Sequence, residues 1–99
     1  MEIKDCEVNG SITNYGLVSF SGTSVYGSST TNALIFNNAS STVYILDECT
    51  INQNGTSEQC IKNDGELIIS GNYITIQNTN SANSSVVISN NTGTTTISR

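Results

Sequence analysis

The chain of 99 residues has no proline, no tryptophan and no histidine, and only 11% of its residues are charged. Its three cationic residues are Lys4, Lys62 and Arg99, and eight acidic residues give it a net charge of −5. A chain so poor in cations lacks the positive patch that binds nucleic-acid phosphates or an anionic membrane surface. No apolar run approaches the roughly 20 residues that span a bilayer. Neither nucleic-acid binding nor membrane insertion is therefore expected.

The cysteines Cys6, Cys49 and Cys60 are an odd number, and their spacing is not that of metal ligands. No histidine is present to join them in a zinc site. We therefore expect no metal site and no cofactor. Free cysteines usually behave as small buried hydrophobic residues, and this interpretation is favoured for all three. A disulfide between Cys49 and Cys60 is an alternative that the sequence does not specify.

The abundant residues are asparagine, serine and threonine, with 14, 15 and 13 copies. Four of the asparagines follow an isoleucine by two positions, and these Ile-x-Asn copies are Ile12/Asn14, Ile35/Asn37, Ile61/Asn63 and Ile88/Asn90. Their asparagines follow one another at sequence separations of 23, 26 and 27. A period in this range is typical of repeat proteins in which each short unit packs on its neighbours. Regularly placed β-branched residues also argue against a disordered chain.

Two further segments of each repeat place apolar or small residues at positions i and i+2, which is the period of a β-strand. The aligned pairs are Cys6/Val8, Thr23/Val25, Cys49/Ile51 and Ile74/Ile76 in one segment, and Val18/Phe20, Val43/Ile45, Leu67/Ile69 and Thr95/Ile97 in the other. Such short strands bury a face only by stacking in parallel on their equivalents. We therefore predict one all-β domain over residues 1–99. It is a parallel β-helix solenoid of about four coils, each of roughly 23–27 residues, with three short strands per coil.

The predicted coil boundaries follow from the aligned segments. A partial coil comes first, and the full coils are Leu17–Thr42, Val43–Glu66 and Leu67–Thr94. Insertions in solenoids collect in loops on one face. The variable loops Gly27–Asn32, Asn52–Glu58 and Asn78–Ser85 are accordingly expected to lie side by side, each starting directly after a β-branched residue or one position later.

The Ile-x-Asn copies are expected at a corner of the coil, with isoleucine inside and the asparagine amides stacked in a ladder. Asparagine tolerates the left-handed backbone conformation. A second residue with positive φ is expected at the glycine that follows, which is Gly16, Gly65 or Gly93. Ala39 breaks this pattern, so the second turn is expected to have a different geometry.

The coil length, the three strands per coil and the aligned Ile-x-Asn-x-Gly turn resemble the right-handed parallel β-helix proteins of the pectate-lyase-like superfamily. The composition is most similar to repeat segments of bacterial or archaeal surface adhesins. This superfamily also includes polysaccharide lyases and hydrolases and phage tailspikes, so the fold alone does not select a function. The chain starts and stops in patterned strands and lacks the basic and apolar regions of a signal peptide. We expect it to be a segment of a longer protein.

Catalysis on such a scaffold requires clustered carboxylates, or a nucleophile beside a base. Asp5 and Asp47 fall at equivalent repeat positions, but Ser21 is expected on the coil between them. Two strand spacings then separate them by roughly 9–10 Å, which is too far for one metal ion. Asp64 and Glu66 form the nearest alternative, a weak cation site, for which a solvated surface is the favoured interpretation. No residue is assigned a catalytic, cofactor-binding or metal-binding role.

We expect a protein that is not an enzyme, a structural or adhesive segment of a secreted or cell-surface protein. Its expected ligand is a glycan or another host-surface molecule, bound by asparagine and tyrosine side chains of the polar loops. Tyr15, Tyr26 and Tyr44 are the candidate contacts, although tyrosine at such places is more often a core residue. The alternative is a non-catalytic fragment of a polysaccharide-degrading β-helix enzyme or of a phage tailspike. Ice binding is disfavoured, because threonine is not expected to recur at one register in the middle coils. End coils without caps predict self-association through strand edges.

Overall fold

The computed structural model describes residues 1–28, 31–83 and 85–98. These residues form thirteen β-strands and no helix, arranged as three parallel sheets. Each circuit of the chain passes through sheet A, then sheet B, then sheet C. Sheet A contains β1 Glu2–Lys4, β4 Leu17–Ser21, β7 Thr42–Ile45, β10 Glu66–Ser70 and β13 Thr94–Ser98. Sheet B contains β2 Glu7–Asn9, β5 Ser24–Gly27, β8 Thr50–Gln53 and β11 Thr75–Asn78. Sheet C contains β3 Ile12–Asn14, β6 Ile35–Asn37, β9 Ile61–Asn63 and β12 Ile88–Ser89.

Successive circuits pair so that equivalent repeat positions lie directly above one another. Sheet A aligns Val18, Val43, Leu67 and Thr95, sheet B aligns Val8, Val25, Ile51 and Ile76, and sheet C aligns Ile12, Ile35, Ile61 and Ile88. Because each strand has side chains of period two, this register places all of these residues on the inner faces. The predicted parallel β-solenoid with three strands per coil is confirmed.

The first circuit is shorter than the others. Glu2 pairs with Ser19, whereas Leu17 pairs with Thr42, so the first circuit returns to sheet A after a shorter stretch of chain. The difference arises between β2 and β3, where Gly10 and Ser11 alone replace the longer connections of the later circuits. The short connection between β2 and β3 is therefore the physical basis of the predicted partial first coil.

The core consists of columns of inward side chains that run along the solenoid axis. Phe20 and Ile45 are fully buried in one column, while Ile97 at the end of that column is 71% exposed. The terminal circuits are less buried because each is covered by a neighbouring circuit on one side only. Each fully buried aliphatic or aromatic side chain contributes about 1.5–3 kcal/mol to folding.

The asparagine ladder is present and lies inside the solenoid. The Nδ2 atom of Asn14 donates to Oδ1 of Asn37 at 2.9 Å, Asn37 donates in the same way to Asn63 at 2.8 Å, and Asn63 donates to Asn90 at 2.8 Å. Asn37 and Asn63 have no exposed surface. Buried amides require full hydrogen bonding, and the ladder supplies it across four successive corners.

Each ladder amide also binds the backbone of its own turn, and the first three also donate to a backbone carbonyl oxygen of the next circuit. Asn37 donates to the carbonyl oxygen of Ser41 at 3.1 Å and to that of Glu66 at 2.9 Å. The side chain therefore closes its own corner and attaches that corner to the strand above. The predicted position of isoleucine inside and amides stacked along the axis is confirmed.

The prediction of left-handed backbone at the asparagine corner was wrong. Positive φ outside glycine occurs among the described residues at Asp5, Ser40, Glu48 and Tyr73, and positive-φ glycines are Gly10, Gly22 and Gly71. None of the ladder asparagines and none of Gly16, Gly65 and Gly93 is among them. A Cβ atom at Gly65 would overlap the backbone oxygens of Ser41 and Asn38. Glycine is needed there because two circuits approach closely, not because of φ.

The second asparagine turn differs from the others, as expected from Ala39. Four residues separate Asn37 from the next strand, against two after Asn14 and Asn63 and three after Asn90, and Ser40 takes a φ of 65°. Ser41 then occupies the place of the glycine, since its carbonyl oxygen accepts from Asn37 as that of Gly16 accepts from Asn14. The longer turn is therefore accommodated without a break in the ladder.

The sharp left-handed residue instead lies at the corner between sheets A and B. Asp5, Gly22, Glu48 and Tyr73 occupy this place in the four circuits, with φ between 52° and 62°. Each directly precedes the first inward residue of the sheet B segment. The corner requires this conformation because the chain must change from the outer to the inner face within one residue.

Two of the three cysteines lie in the core. Cys49 and Cys60 are buried and all three thiols are free. Cys6 is exposed, so the buried interpretation was wrong for this residue. Its position is inward, but among the described residues the first circuit is packed only against the circuit that follows it.

Candidate functional site

The connections between sheets B and C, here called the B–C loops, stack on one another as predicted. The Nδ2 atom of Asn83 donates to the carbonyl oxygens of Gly55 at 2.8 Å and Glu58 at 3.2 Å, and the Ser85 hydroxyl donates to Ser57 at 2.6 Å. Residues 29–30 and 84, which the prediction included, lie outside the described residues. Side-chain amides thus bind the loops into one continuous surface.

The predicted starts of these loops were too early. Gly27, Asn52–Gln53 and Asn78 belong to strands β5, β8 and β11. Gln53 is fully buried, and its Nε2 atom donates to the carbonyl oxygen of Gln59 at 3.3 Å. The strands continue past the β-branched residue because an inward position remains to be filled. In the second circuit that position is Gly27, where Leu34 fills the space that a Cβ atom would need.

The outer face of sheet B carries a row of amides with one aromatic ring. Asn9, Tyr26, Asn52 and Gln77 are aligned in register on successive strands. Tyr26 is 37% exposed and lies between two asparagines. A surface cavity of about 490 Å³, here called the Tyr26 cavity, is lined by Asn9, Tyr26, Gly27, Asn52 and Asn54, together with Gly10 and Ser28. Its volume falls in the range of about 300–1,000 Å³ that is usual for ligand sites.

The hydrogen-bonding capacity of the Tyr26 cavity is only partly used. Oδ1 of Asn52 is buried and has no hydrogen-bond partner among the described residues. Asn9 donates from Nδ2 to the Glu7 carboxylate at 3.2 Å, and Oδ1 of Asn54 accepts from the Thr79 hydroxyl at 3.3 Å. Glu7, at the edge of the face, is acidic, and no cationic residue in the described part of the chain lines the cavity.

A second groove lies on the outer face of sheet C. Thr13, Phe36 and Lys62 are aligned there, and the Lys62 ammonium lies 5.5 Å from the centre of the Phe36 ring. The groove has a volume of about 360 Å³, and Glu58 is one of its lining residues. The Lys62 charge is attracted to the ring face, and Glu58 is the acidic residue among the described residues that line the groove.

The most apolar concavity described is the open end of the solenoid at the last circuit. Ile69, Ile74, Ile76, Ile88 and Ile97 contribute to a cavity of about 470 Å³. These are core positions of the stacked columns. The surface is therefore an uncovered core end, and its chemistry is that of the interior.

The carboxylates predicted to be equivalent do lie in one stack, but the intervening residue was assigned wrongly. Lys4 pairs with Ser21, so Gly22 lies between Asp5 and Asp47. The Asp5 carboxylate occupies the space above Gly22, and the Asp47 carboxylate occupies that above Gly71. Asp47 also accepts from the backbone N–H of Asn72 at 2.7 Å. These contacts give both aspartates a part in shaping the corner between sheets A and B.

The Asp64 and Glu66 pair does not gather further ligands. Glu66 is exposed at the start of β10, and Oδ1 of Asp64 is buried without a hydrogen-bond partner among the described residues. Within residues 1–28, 31–83 and 85–98, no group of three or more His, Cys, Asp or Glu side chains is close enough to hold a metal ion.

The three candidate tyrosines lie on different faces of the solenoid. Tyr15 is 74% exposed at the asparagine corner, Tyr26 lies on sheet B, and Tyr44 is half-buried on the outer face of sheet A beside Ile68. They cannot form one site. Tyr73, which the sequence did not single out, is 86% exposed at the corner between sheets A and B.

The asparagines around Tyr26 were predicted in part, since Asn52 and Asn54 lie in a predicted variable loop whose asparagines were candidate glycan contacts, whereas Asn9 was not singled out. Threonine does not recur at one register through the middle circuits, as expected, since the row in sheet B holds Glu7, Ser24, Thr50 and Thr75 in successive circuits. Thr50 and Thr75 are direct partners, with Ser24 next to Thr50 in the same row. The parallel row beside it holds tyrosine, asparagine and glutamine, so the face is not a repeated threonine array.

The two buried thiols are poor nucleophiles. Burial raises the pKa of Cys49, and burial likewise raises the pKa of Cys60, in both cases above the ordinary value of 9.0. The Cys60 thiol donates to the carbonyl oxygen of Gln77 at 2.8 Å. A neutral, hydrogen-bonded thiol is a structural group.

No protein-family model, curated protein or solved structure matches the chain. In the described part of the chain there is no helix of the length and apolarity that crossing a membrane requires. What can be proposed about function therefore depends on the surfaces of the solenoid.

Proposed function

We propose that the chain is a non-catalytic structural and adhesive segment of a secreted or cell-surface protein, and that it contacts glycans. The observation that carries the proposal is the continuity of the scaffold. Three parallel sheets and one internal asparagine ladder run through all circuits without interruption. A scaffold in which each circuit depends only on its neighbours is suited to length and rigidity.

The outer surfaces support the adhesive part of the proposal. Their side chains are mostly short, polar and uncharged, and the Tyr26 cavity adds an aromatic ring to three carboxamides. Carboxamides both donate and accept hydrogen bonds, as sugar hydroxyls do. The similarity of composition to adhesin repeats and of coil pattern to pectate-lyase-like β-helices agrees with this proposal.

The test is binding of the purified chain to an array of immobilised glycans. The proposal expects saturable binding to at least one class of glycan. Absence of saturable binding across neutral and acidic glycans would contradict the adhesive part. Cleavage of an acidic polysaccharide that is abolished by Asp47→Ala would contradict the non-catalytic part.

A further inference from the structure

The outer face of sheet B presents its functional groups in a fixed lattice. The row Asn9, Tyr26, Asn52 and Gln77 repeats at the strand spacing of about 4.8 Å. The neighbouring row is Glu7, Ser24, Thr50 and Thr75. Because these side chains stand on paired strands rather than on a loop, their separations are set by the sheet. A ligand on this face would meet groups that are already in place.

The Tyr26 cavity combines an apolar ring with unused polar capacity. Tyr26 offers an amphipathic surface with little side-chain entropy to lose. The Asn52 oxygen lacks a partner among the described residues. Leaving such an acceptor unsatisfied is unfavourable. The oxygen is closed off from solvent, so a ligand hydroxyl meets it when the Asn52 side chain turns toward the cavity that it lines, and the new bond then relieves this cost.

The charges around the cavity select against anions. Lys4 lies on sheet A and Lys62 on the outer face of sheet C, so neither lines the cavity. The acidic group beside it is Glu7, whose carboxylate accepts from Asn9. A carboxylate, sulfate or phosphate in the cavity would meet no counter-charge among the described lining residues and would be repelled by Glu7 and by the net charge of −5.

We propose that the Tyr26 cavity binds a neutral glycan, with Tyr26 stacking on a sugar ring and Asn52 and Asn54 hydrogen-bonding its hydroxyls. This inference rests on the proposed adhesive function and deepens it, since it names the site and the ligand class. The Asn9 side chain donates to the Glu7 carboxylate and lines the opposite side of the cavity. Acidic polysaccharides are excluded by charge.

The experiment is an NMR titration of the isotopically labelled chain with three neutral probes: cellohexaose, maltohexaose and N-acetylated chitohexaose. An oligogalacturonate of the same length is the anionic comparison. The proposal expects saturable shifts of the side-chain amides of Asn9, Asn52 and Asn54 with at least one neutral probe. Shifts centred on another face, or saturation with the oligogalacturonate alone, or with none of the probes, overturn it.

A variant pair tests the assignment of the ring. Tyr26→Ala is expected to weaken binding of the neutral probe by about tenfold or more, as truncation of a central aromatic contact commonly does. Tyr15→Ala removes an exposed tyrosine from another corner and is expected to leave binding unchanged. Circular dichroism of each variant checks the fold. The chemical-shift changes of the wild-type chain locate the binding site without the use of either variant. Equal losses in the two variants would overturn the assignment.

The same variants separate this inference from the proposed function. If wild type and Tyr26→Ala bind the glycan array equally well, the adhesive function stands and the site assignment fails. If wild type binds no glycan on the array and no probe in solution, both fail.

Discussion

Replacement of Asn37 by alanine should be among the most destabilising single changes in a polar residue of this chain. Its Nδ2 atom donates to Asn63 at 2.8 Å, to the carbonyl oxygen of Glu66 at 2.9 Å and to that of Ser41 at 3.1 Å, and its Oδ1 accepts from Asn14 at 2.9 Å. The residue is completely buried, so water does not replace these partners in the folded state.

The magnitude follows from which partners keep another bond. Oδ1 of Asn63 still accepts from Gly65 at 3.2 Å, and Nδ2 of Asn14 still donates to Thr42 at 2.9 Å. The carbonyl oxygen of Ser41 still accepts from the backbone N–H of Glu66 at 2.8 Å, whereas that of Glu66 loses the amide donor, at about 1–3 kcal/mol for a group left unsatisfied. The lost bonds to groups that keep another partner cost about 0.5–1.5 kcal/mol each. We therefore expect a loss of about 3–5 kcal/mol, a large part of the roughly 5–15 kcal/mol that stabilises a typical domain.

The neighbouring asparagine provides a matched control. Asn38 is half-buried, and its side-chain oxygen accepts one bond, from the backbone N–H of Ala39 at 2.9 Å. Asn38→Ala should cost about 1 kcal/mol or less. Urea unfolding followed by far-UV circular dichroism measures both free energies at constant m value. Equal costs for Asn37→Ala and Asn38→Ala would refute the structural role of the ladder.

The remaining predictions concern close packing, the thiols and the ends. Gly65→Ala should destabilise the fold by about 1–3 kcal/mol through overlap with backbone oxygens, whereas Gly16→Ala, which has nothing within 4 Å of the added Cβ, should be neutral or slightly stabilising in the same urea assay. A maleimide should label Cys6 alone in the folded chain and all three thiols in urea; labelling of a buried thiol at the same rate would contradict the core assignment. Because burial raises the pKa of the two buried thiols, their contribution to stability is complete below pH 9.0 and declines as pH rises above it. The urea midpoint of wild type should fall more between pH 8 and pH 10 than that of a variant with alanine at both positions. Because the apolar end of the core is exposed, the average mass measured by light scattering should rise with protein concentration, and Ile97→Lys should reduce that rise. A strict monomer at high concentration would contradict self-association through this end.

The columns of the core could be predicted from sequence because each depends on one local rule. Alternation at i and i+2 identifies inward residues, and the repeated Ile-x-Asn aligns the circuits, so the partners of Val43 or Ile61 follow from counting. The exposure of inward residues in the terminal circuits could not be predicted in this way. Cys6 has an inward position like Cys49, but its exposure depends on whether another circuit covers it.

The backbone conformations at the corners of the coil could not be predicted from the local sequence. Glu48 and Tyr73 have no intrinsic preference for positive φ, and they adopt it because the coil must turn there. Conversely, Gly65 suggests a left-handed residue by its type, whereas its actual requirement is the close approach of the next circuit. Both effects arise from the packing of one circuit on the next, so neither can be recognised from the residue type alone.

The candidate site was half predictable. Tyr26 was identified as a candidate contact, and Asn9 and Asn52 occupy the same repeat position as Tyr26. Asn9 and Asn52 were interpreted as turn residues because asparagine close before glycine is typical of a turn. In the structure both lie in strands of sheet B. The cavity itself depends on three circuits together and on Leu34, which fills the space beneath Gly27.

Hydrogen exchange of the asparagine side-chain amides, measured by NMR, tests the central claim most directly. The solenoid with an internal ladder predicts that the Nδ2 protons of Asn37 and Asn63 exchange slowly and show contacts to each other, while those of exposed asparagines such as Asn54 exchange rapidly. Rapid exchange at Asn37 and Asn63, at the rate of the exposed amides, would contradict the stacked asparagine corner and with it the arrangement of the circuits.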